Sequence, residues 1–448
     1  MNELVKKAPC VLLVLGFAAV AGGADWPQFR GADRSGVSPE VGLAQGWPAG
    51  GPKVLWTVDV GEGFGGAAIR AAEVYLLDRT ERQDVLRCLD LATGKELWNW
   101  SYDAPGAFQY NGSRNVPTVD DRHIYALGAF GHLHCIDCRT HAVVWKAHLV
   151  DDFKDPQIDG GPPPKNRARN LLRAQVPEWG LTQSPLIWRD LLIVAPQTQK
   201  VGVVAYEKNT GRIRWTTPYI GRNWYSHVTP TLLRLCGVEQ IVMLAQPSDP
   251  ERWPPANVCG IDPQSGRILW TTQTPRPHKI PIPLPVALGD DRVLITGGYG
   301  LGCHILKVRK DLDAWSATWV SSSREIAGHI HSPVVYKNRV FLTSFREHGA
   351  TNTGLVCLDL EGKVTWQTGP KLQFDSGAYL IADDLAFIMH GRTGELSLLG
   401  IRDDGFELLG KAKVLKGEGG LVWGPMALSN GKLIVRDQHQ LKCLDVRP

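Results

Sequence analysis

The clearest pattern in the chain is a short run of alternating apolar and polar positions that ends, after a polar turn, in tryptophan. It is seen in LRCLDLATGKELW (Leu86 to Trp98), LHCIDCRTHAVVW (ending at Trp145), VVAYEKNTGRIRW (Trp215), VCGIDPQSGRILW (Trp270) and the shorter LVCLDLEGKVTW (Trp366). Alternation at period two sends every second side chain to one face of an extended strand. The glycine found in most copies supplies the positive φ of a tight turn. Each copy therefore predicts a β-hairpin.

A second hairpin pattern precedes the first. Its copies include NVPTVDDRHIYAL from Asn115, QSPLIWRDLLIV from Gln183, PVALGDDRVLIT from Pro285, HSPVVYKNRVFLT from His331, YLIADDLAFIM from Tyr379 and GPMALSNGKLIV from Gly424. Their turns are polar pairs such as Asp120-Asp121, Arg189-Asp190, Asp290-Asp291 and Asn430-Gly431. Two hairpins make a four-stranded sheet, the unit of a propeller blade. The third strand recurs around Cys88, Cys135, Ala205, Gly260, Ile305, Cys357, Leu398 and Cys443, which predicts eight blades. The copies at Ile305 and Leu398 are degenerate, with Trp319 and the stretch from Phe406 to Leu409 in place of the usual ending. The last copy, LKCLDVRP, stops before its fourth strand, and KVLWTVDV (Lys53 to Val60) supplies the missing piece. The expected fold is all-β: an eight-bladed propeller of four-stranded antiparallel blades, its ring closed by an N-terminal strand that leaves no long edge exposed.

Composition agrees with many short strands and turns, with 48 Gly, 30 Pro and 16 Trp among 448 residues. The repeated tryptophans Trp56, Trp98, Trp145, Trp215, Trp270 and Trp366 are expected to pack between neighbouring blades. Burying one removes roughly 150–250 Å² from water, on the order of 4–6 kcal/mol before entropy is subtracted. Cys88, Cys135, Cys357 and Cys443 share a repeat position with Ala205 and Gly260, which reads as a small buried site holding free thiols. Cys135 and Cys138 form a lone C-x-x-C without the second pair of a zinc site.

Before the repeats lie Lys6 and Lys7, an apolar stretch from Val11 to Val20, and small residues up to Ala24. This is the pattern of a secretory signal, and the stretch is short for a membrane span. Residues 1–24 are therefore expected to be a signal peptide, 25–52 a lead segment packing on the propeller, and 53–448 the propeller, with an insertion at 151–180. The expected location is periplasmic or secreted, with no transmembrane span once the signal is removed. The formal charge of +4 is spread along the chain, which argues against nucleic acid as a partner.

The paired carboxylates Asp120-Asp121, Asp290-Asp291, Asp383-Asp384 and Asp403-Asp404 fall mainly at hairpin turns, where aspartate bonds its own backbone. Asp90, Asp137, Asp262, Asp359 and Asp445 belong to the repeat and are likewise structural. Candidate chemistry lies in what does not repeat. Arg114, Asn115, Trp179, Gln183, Asn223, His227, His278, His329, His331, Ser376 and Trp423 all precede innermost strands. Such segments converge on one mouth of a propeller's channel, where they form a candidate ligand-binding site for an anionic or planar molecule. His132 with His134, and His329 with His331, are pairs without a third nearby ligand, so no metal site is assigned. The insertion contains Pro162-Pro163-Pro164 and the basic stretch NRARNLLRAQ, and leads into Trp179 as a lid or docking loop.

In these hairpins the chain resembles the quinoprotein-type propeller repeat family over roughly Lys53 to Pro448. That family includes pyrroloquinoline quinone (PQQ)-dependent alcohol dehydrogenases and the propeller lipoprotein of outer-membrane β-barrel assembly. The opening DWPQFRGADRSGVS, Asp25 to Ser38, resembles the start of exported propellers of planctomycete-type bacteria. The resemblance specifies fold better than function. It implies two functions: a non-catalytic binding or scaffold module whose partner is another envelope protein or a small ligand in the funnel, or a PQQ-dependent alcohol or sugar dehydrogenase. The dehydrogenase would need PQQ with calcium and a catalytic carboxylate, and the methanol-oxidising type carries an adjacent Cys-Cys pair. This chain has no Cys-Cys and no C-x-x-C-H for covalent haem, so the binding module is the favoured reading and no cofactor is assigned.

Overall fold

The structure is a computed structural model that describes residues 24–154, 179–198, 200–221, 227–246, 255–345, 351 and 353–448. The expected signal peptide and most of the insertion fall outside these residues. The strands form eight antiparallel four-stranded sheets, seven of them hydrogen-bonded in sequence order from a first to a fourth strand. Blade 1 consists of Ala68–Arg70, Glu73–Thr80, Gln83–Asp90 and Glu96–Asp103. Blades 2 to 7 follow over residues 118–148, 186–216, 231–277, 286–323, 334–367 and 379–413. Blade 8 holds Ala427–Ser429, Lys432–Arg436 and Gln440–Asp445, and its fourth strand is Lys53–Asp59 from the other end of the chain. Trp56 there stands opposite Cys443, so the N-terminal strand closes the ring in the repeat's own register. No helix among the described residues is long and apolar enough to cross a membrane.

One pairing recurs around the ring. Cys88, Cys135, Ala205, Gly260 and Cys357 each face the blade's tryptophan, and the register slips by a bulge just beyond. Blades 5 and 7 keep the bulge but lose the residue: Trp319 faces Leu306, one step past the usual position, and Leu398 faces Gly410. A bulge bends the strand and increases its twist, which tilts the outer hairpin of one blade against the next. The small residue opposite leaves room for the indole. A Cβ on Gly260 would lie 2.2 Å from Trp270 Nε1, and the cysteines at this position are buried free thiols.

The tryptophans join neighbouring blades as the repeat predicts. Trp56 Nε1 donates to the Leu91 carbonyl of blade 1 at 3.0 Å, Trp145 to Lys208 of blade 3 at 2.9 Å, Trp215 to Pro263 of blade 4 at 3.1 Å, and Trp366 to Arg402 of blade 7 at 3.1 Å. The turn glycine of the receiving blade lies on the indole face: Cβ atoms added to Gly94, Gly211 and Gly266 would fall 2.6, 2.7 and 2.5 Å from Trp56, Trp145 and Trp215. These glycines also hold φ near +70°, so their positions demand both the conformation and the missing side chain. In blade 2 His141 takes the glycine's place, and its ring stacks on Trp98 at 4.2 Å. The seam between blades 4 and 5 departs from the rule. The outer strands of blade 5, Gly302–Asp311 and Ala314–Ser323, are long, and Trp319 reaches back to the Gln273 carbonyl of blade 4 at 2.8 Å. Trp270 turns instead to Gln240 Oε1 of its own blade at 2.7 Å.

The lead segment crosses one end of the channel and is tied to six blades. Trp26 exchanges backbone bonds with Ile69 of blade 1, and the Pro27 carbonyl accepts from Val119 of blade 2. Arg34 Nη2 donates to Ser184 O of blade 3 at 3.2 Å, and Arg30 donates to Ser332 O and Pro333 O of blade 6 at 2.8 and 2.7 Å. Gly36 and Ser38 bond Ile381 of blade 7, while Ala44 and Glu40 reach Val446 and Gly431 of blade 8. Phe29 sits at the axis and packs against apolar clusters of blades 1–2 and of blades 4–5. The segment is therefore a floor under the channel.

Candidate functional site

The first strands of neighbouring blades touch around the axis, which brings the segments before them together. Hydroxyls fix several of these starts. The N–H of Val116 donates to Ser184 Oγ and that of Ser184 to Thr229 Oγ1, both at 3.1 Å, and the N–H of Leu284 donates to Ser332 Oγ at 2.8 Å. Ser184, Thr229 and Ser332 each precede a proline, which holds its predecessor extended. The hydroxyl of one blade thus satisfies the backbone of the blade before it.

Above Phe29 these starts enclose a funnel of about 210 Å³. One side is an arc of rings. Trp423 lies 5.6 Å from Phe64 and 6.0 Å from Tyr110, Tyr110 lies 6.3 Å from Trp179, and Trp179 lies 5.5 Å from His227. The opposite side is aliphatic, with Ile280, Ile282, Leu284 and Ile330, joined by Tyr299, His329 and His331. Arg114 stands in the aromatic side. Its guanidinium lies 4.9 Å from the Phe64 ring and 6.0 Å from Phe108, and Nη2 donates to the Tyr110 carbonyl. Nε has no protein partner, and burial lowers the Arg114 pKa to about 9. No Asp or Glu lines this funnel among the described residues.

Two of the histidines there, His227 and His331, are held neutral. Burial, reinforced by the Arg114 charge, pushes His227 down to about 3, and its Nδ1 lies 2.6 Å from the Thr182 hydroxyl. Burial and then the Arg30 charge push His331 down to about 3. The funnel is thus aromatic and cationic at neutral pH, able to hold an apolar or planar body with an anionic group.

Of the residues expected at the mouth, Arg114, Trp179, His227, His329, His331 and Trp423 meet in this funnel. Ser376 stands behind the lining, 3.0 Å from His329 Nδ1. Asn115 and Gln183 are buried away from it. The side chain of Asn115 turns back to donate to Leu127 O in its own blade, and the amide of Gln183 is enclosed without a protein partner. His278 is fully buried, with its ring against Gly297. Asn223 and residues 155–178 of the insertion lie outside the described residues. Sequence reading missed Phe29, Phe64 and Tyr110, which sit in segments without repeat identity. It also missed Ser184, Thr229 and Ser332, for which the recurring Ser/Thr-Pro pair was an available signal.

A second cluster lies where blades 1 and 2 meet. Arg79 and Asp84 form a buried ion pair at 2.8 Å, and Tyr102 OH donates to Asp84 at 2.9 Å. Tyr102 packs on His134, and His132 and His134 lie parallel at 6.3 Å as the strand alternation predicts. A third histidine that the sequence did not bring together with them, His148, pairs opposite His132 with ring centres at 4.5 Å. Even so, no group of three or more His, Cys, Asp and Glu among the described residues is arranged to hold a metal ion.

Fold and site together define a propeller of quinoprotein-type repeats with a funnel closed at one end. The profile described as "Outer membrane protein assembly factor BamB" matches residues 81–368 and 256–416, and the chain belongs to that PQQ-like repeat family. A curated relative, 1-butanol dehydrogenase (cytochrome c) of Thauera butanivorans, is 29% identical over 159 residues, a stretch that is 34% of this chain and only 22% of that enzyme. BamB from Moraxella catarrhalis superposes with a TM-score of 0.55 at 13% identity, covering 87% of this chain and 96% of its own. Quinohemoprotein alcohol dehydrogenase from Comamonas testosteroni superposes with a TM-score of 0.63 at 11% identity, covering 95% and 81%. At such identities these likenesses establish the fold.

The family raises the question of PQQ with calcium. Calcium takes about six to eight oxygen ligands, several of them carboxylates, and alcohol oxidation needs a base. The described lining offers four Ser and Thr hydroxyls, a tyrosine pair and three histidines, without a carboxylate. This donor set does not fit a calcium-bound quinone.

Proposed function

We propose that the chain is a non-catalytic binding propeller of the cell envelope, a rigid ring whose funnel takes a small ligand and whose outer faces dock an envelope protein. The observation that carries this reading is the funnel lining itself: aromatic rings and one arginine, with no carboxylate among the described residues to act as base or calcium ligand. Membership of the BamB-described family supports an envelope location. The dehydrogenase relative keeps an oxidoreductase in view as the competing activity. The test is to incubate the purified chain with PQQ and Ca²⁺ and follow dye reduction with primary alcohols and aldose sugars. No turnover and no stoichiometric quinone uptake are expected. Alcohol- or sugar-dependent dye reduction would overturn the proposal.

A further inference from the structure

We infer that the funnel's ligand is an aromatic monocarboxylate of one or two fused rings, anchored by Arg114; this rests on the non-catalytic reading above. The charge argument comes first. Arg114 is the guanidinium in the funnel wall, and its electrostatic partner in the protein is a carbonyl and the phenol of Tyr110. No carboxylate among the described residues lies within ion-pair reach of it. A cation kept in an apolar wall without a counter-ion is costly, and an anion from outside relieves that cost. The floor adds to the same field: Arg34 is buried with Nε and Nη1 unpartnered, and the charge of Arg30 is felt at His331.

The number of charges follows from the rest of the wall. Arg114 is the one Arg or Lys among the described lining residues, and burial holds His227 and His331 neutral, so the wall offers a guanidinium, enough for one carboxylate. PQQ carries three, which leaves two without a counter-charge in the described lining. The ligand's body follows from the rings. Phe64, Trp423, Tyr110 and Trp179 form a continuous arc opposite an aliphatic wall, a slot that favours a flat apolar body over a sugar or a polyol. An arginine bonds a carboxylate through two parallel N–H groups, so it selects the acid over its ester.

The test uses 2-naphthoate and its neutral methyl ester as probes, with tryptophan fluorescence and calorimetry as readouts. Saturable binding of one naphthoate per chain is expected, about ten- to a hundredfold tighter than the ester. Arg114→Gln should bring naphthoate down to the level of the ester, and Arg114→Lys should restore part of the preference. Equal affinity for acid and ester, no saturable binding of naphthoate, or an undiminished preference in a folded Arg114→Gln variant would each sink the inference. The acid-to-ester ratio of the native chain decides the matter even if the variant fails to fold. Failure here while dye reduction stays absent removes the ligand class alone; alcohol-dependent dye reduction removes the non-catalytic reading itself.

Discussion

Side chains in this protein sort by whether they repeat. Those that repeat build seams, and their roles follow from spacing: Trp56 and its counterparts donate across blades, and Asp90 and Asp137 cap turns through the N–H groups of Thr93 and Thr140. Apart from the Ser/Thr-Pro pairs, those at the funnel do not recur, so Arg114 was legible as a candidate while Phe29 and Phe64 were not; nothing local distinguishes a lining phenylalanine from a core one. Two glycines separate conformation from crowding. Gly94 and Gly237 have φ of +71° and +73°, but only a Cβ on Gly94 meets an obstacle, Trp56 at 2.6 Å. Gly237→Ala should cost about 1–2 kcal/mol for the left-handed backbone. Gly94→Ala should cost about 1–3 kcal/mol more for overpacking; urea midpoints measure both. Removing one partner of a buried ion pair is severe, so Asp84→Ala should lose about 3–5 kcal/mol by stranding Arg79. Glu407→Ala, which breaks an exposed pair with Arg402, should leave the midpoint nearly unmoved.

At the scale of elements, the hairpins were readable because alternation and turn chemistry agree in every blade, and even the degenerate copies at Ile305 and Leu398 keep the bulge. The lead segment was readable only as a resemblance. It has no period, and much of its attachment runs through backbone groups of distant blades, a relation no local pattern encodes. The three-histidine cluster was missed although it is local: carrying the Cys135–Trp145 pairing three residues outward in the same hairpin places His148 opposite His132. The closing strand and the floor are predicted to act together. A chain beginning at Gly61 lacks both, which exposes the edge of Gln440–Asp445 and removes Phe29 from the axis. Unpaired edges recruit other chains. This variant should elute as oligomers or aggregates in size-exclusion chromatography and lose the single cooperative melting transition of the full chain.

For the molecule as a whole, burial sets the response to pH. His227, His278 and His331 are pushed down to about 3, and His132 and His134 to about 4, in each case chiefly by desolvation. Unfolding returns these rings to an ordinary value of about 6.5. Below that pH the unfolded chain binds more protons than the folded one, so stability falls with falling pH. The contribution is fully present above about pH 6.5 and is lost progressively toward pH 3–4. Melting temperatures measured from pH 7.5 down to 4 at constant ionic strength should therefore decline; a flat profile would show that the rings are not held neutral. The way the ring closes has a consequence in time as well. Lys53–Asp59 leaves the ribosome before any blade, yet its partner Gln440–Asp445 follows only after the strands of the seven other blades. Every other blade is assembled from neighbouring segments as they emerge, whereas the eighth cannot be finished until Gln440–Asp445 has been made. A chain cut short before Gln440 keeps its first strand unmatched and displays it to proteases and chaperones, so the closure doubles as a check that all eight blades were made.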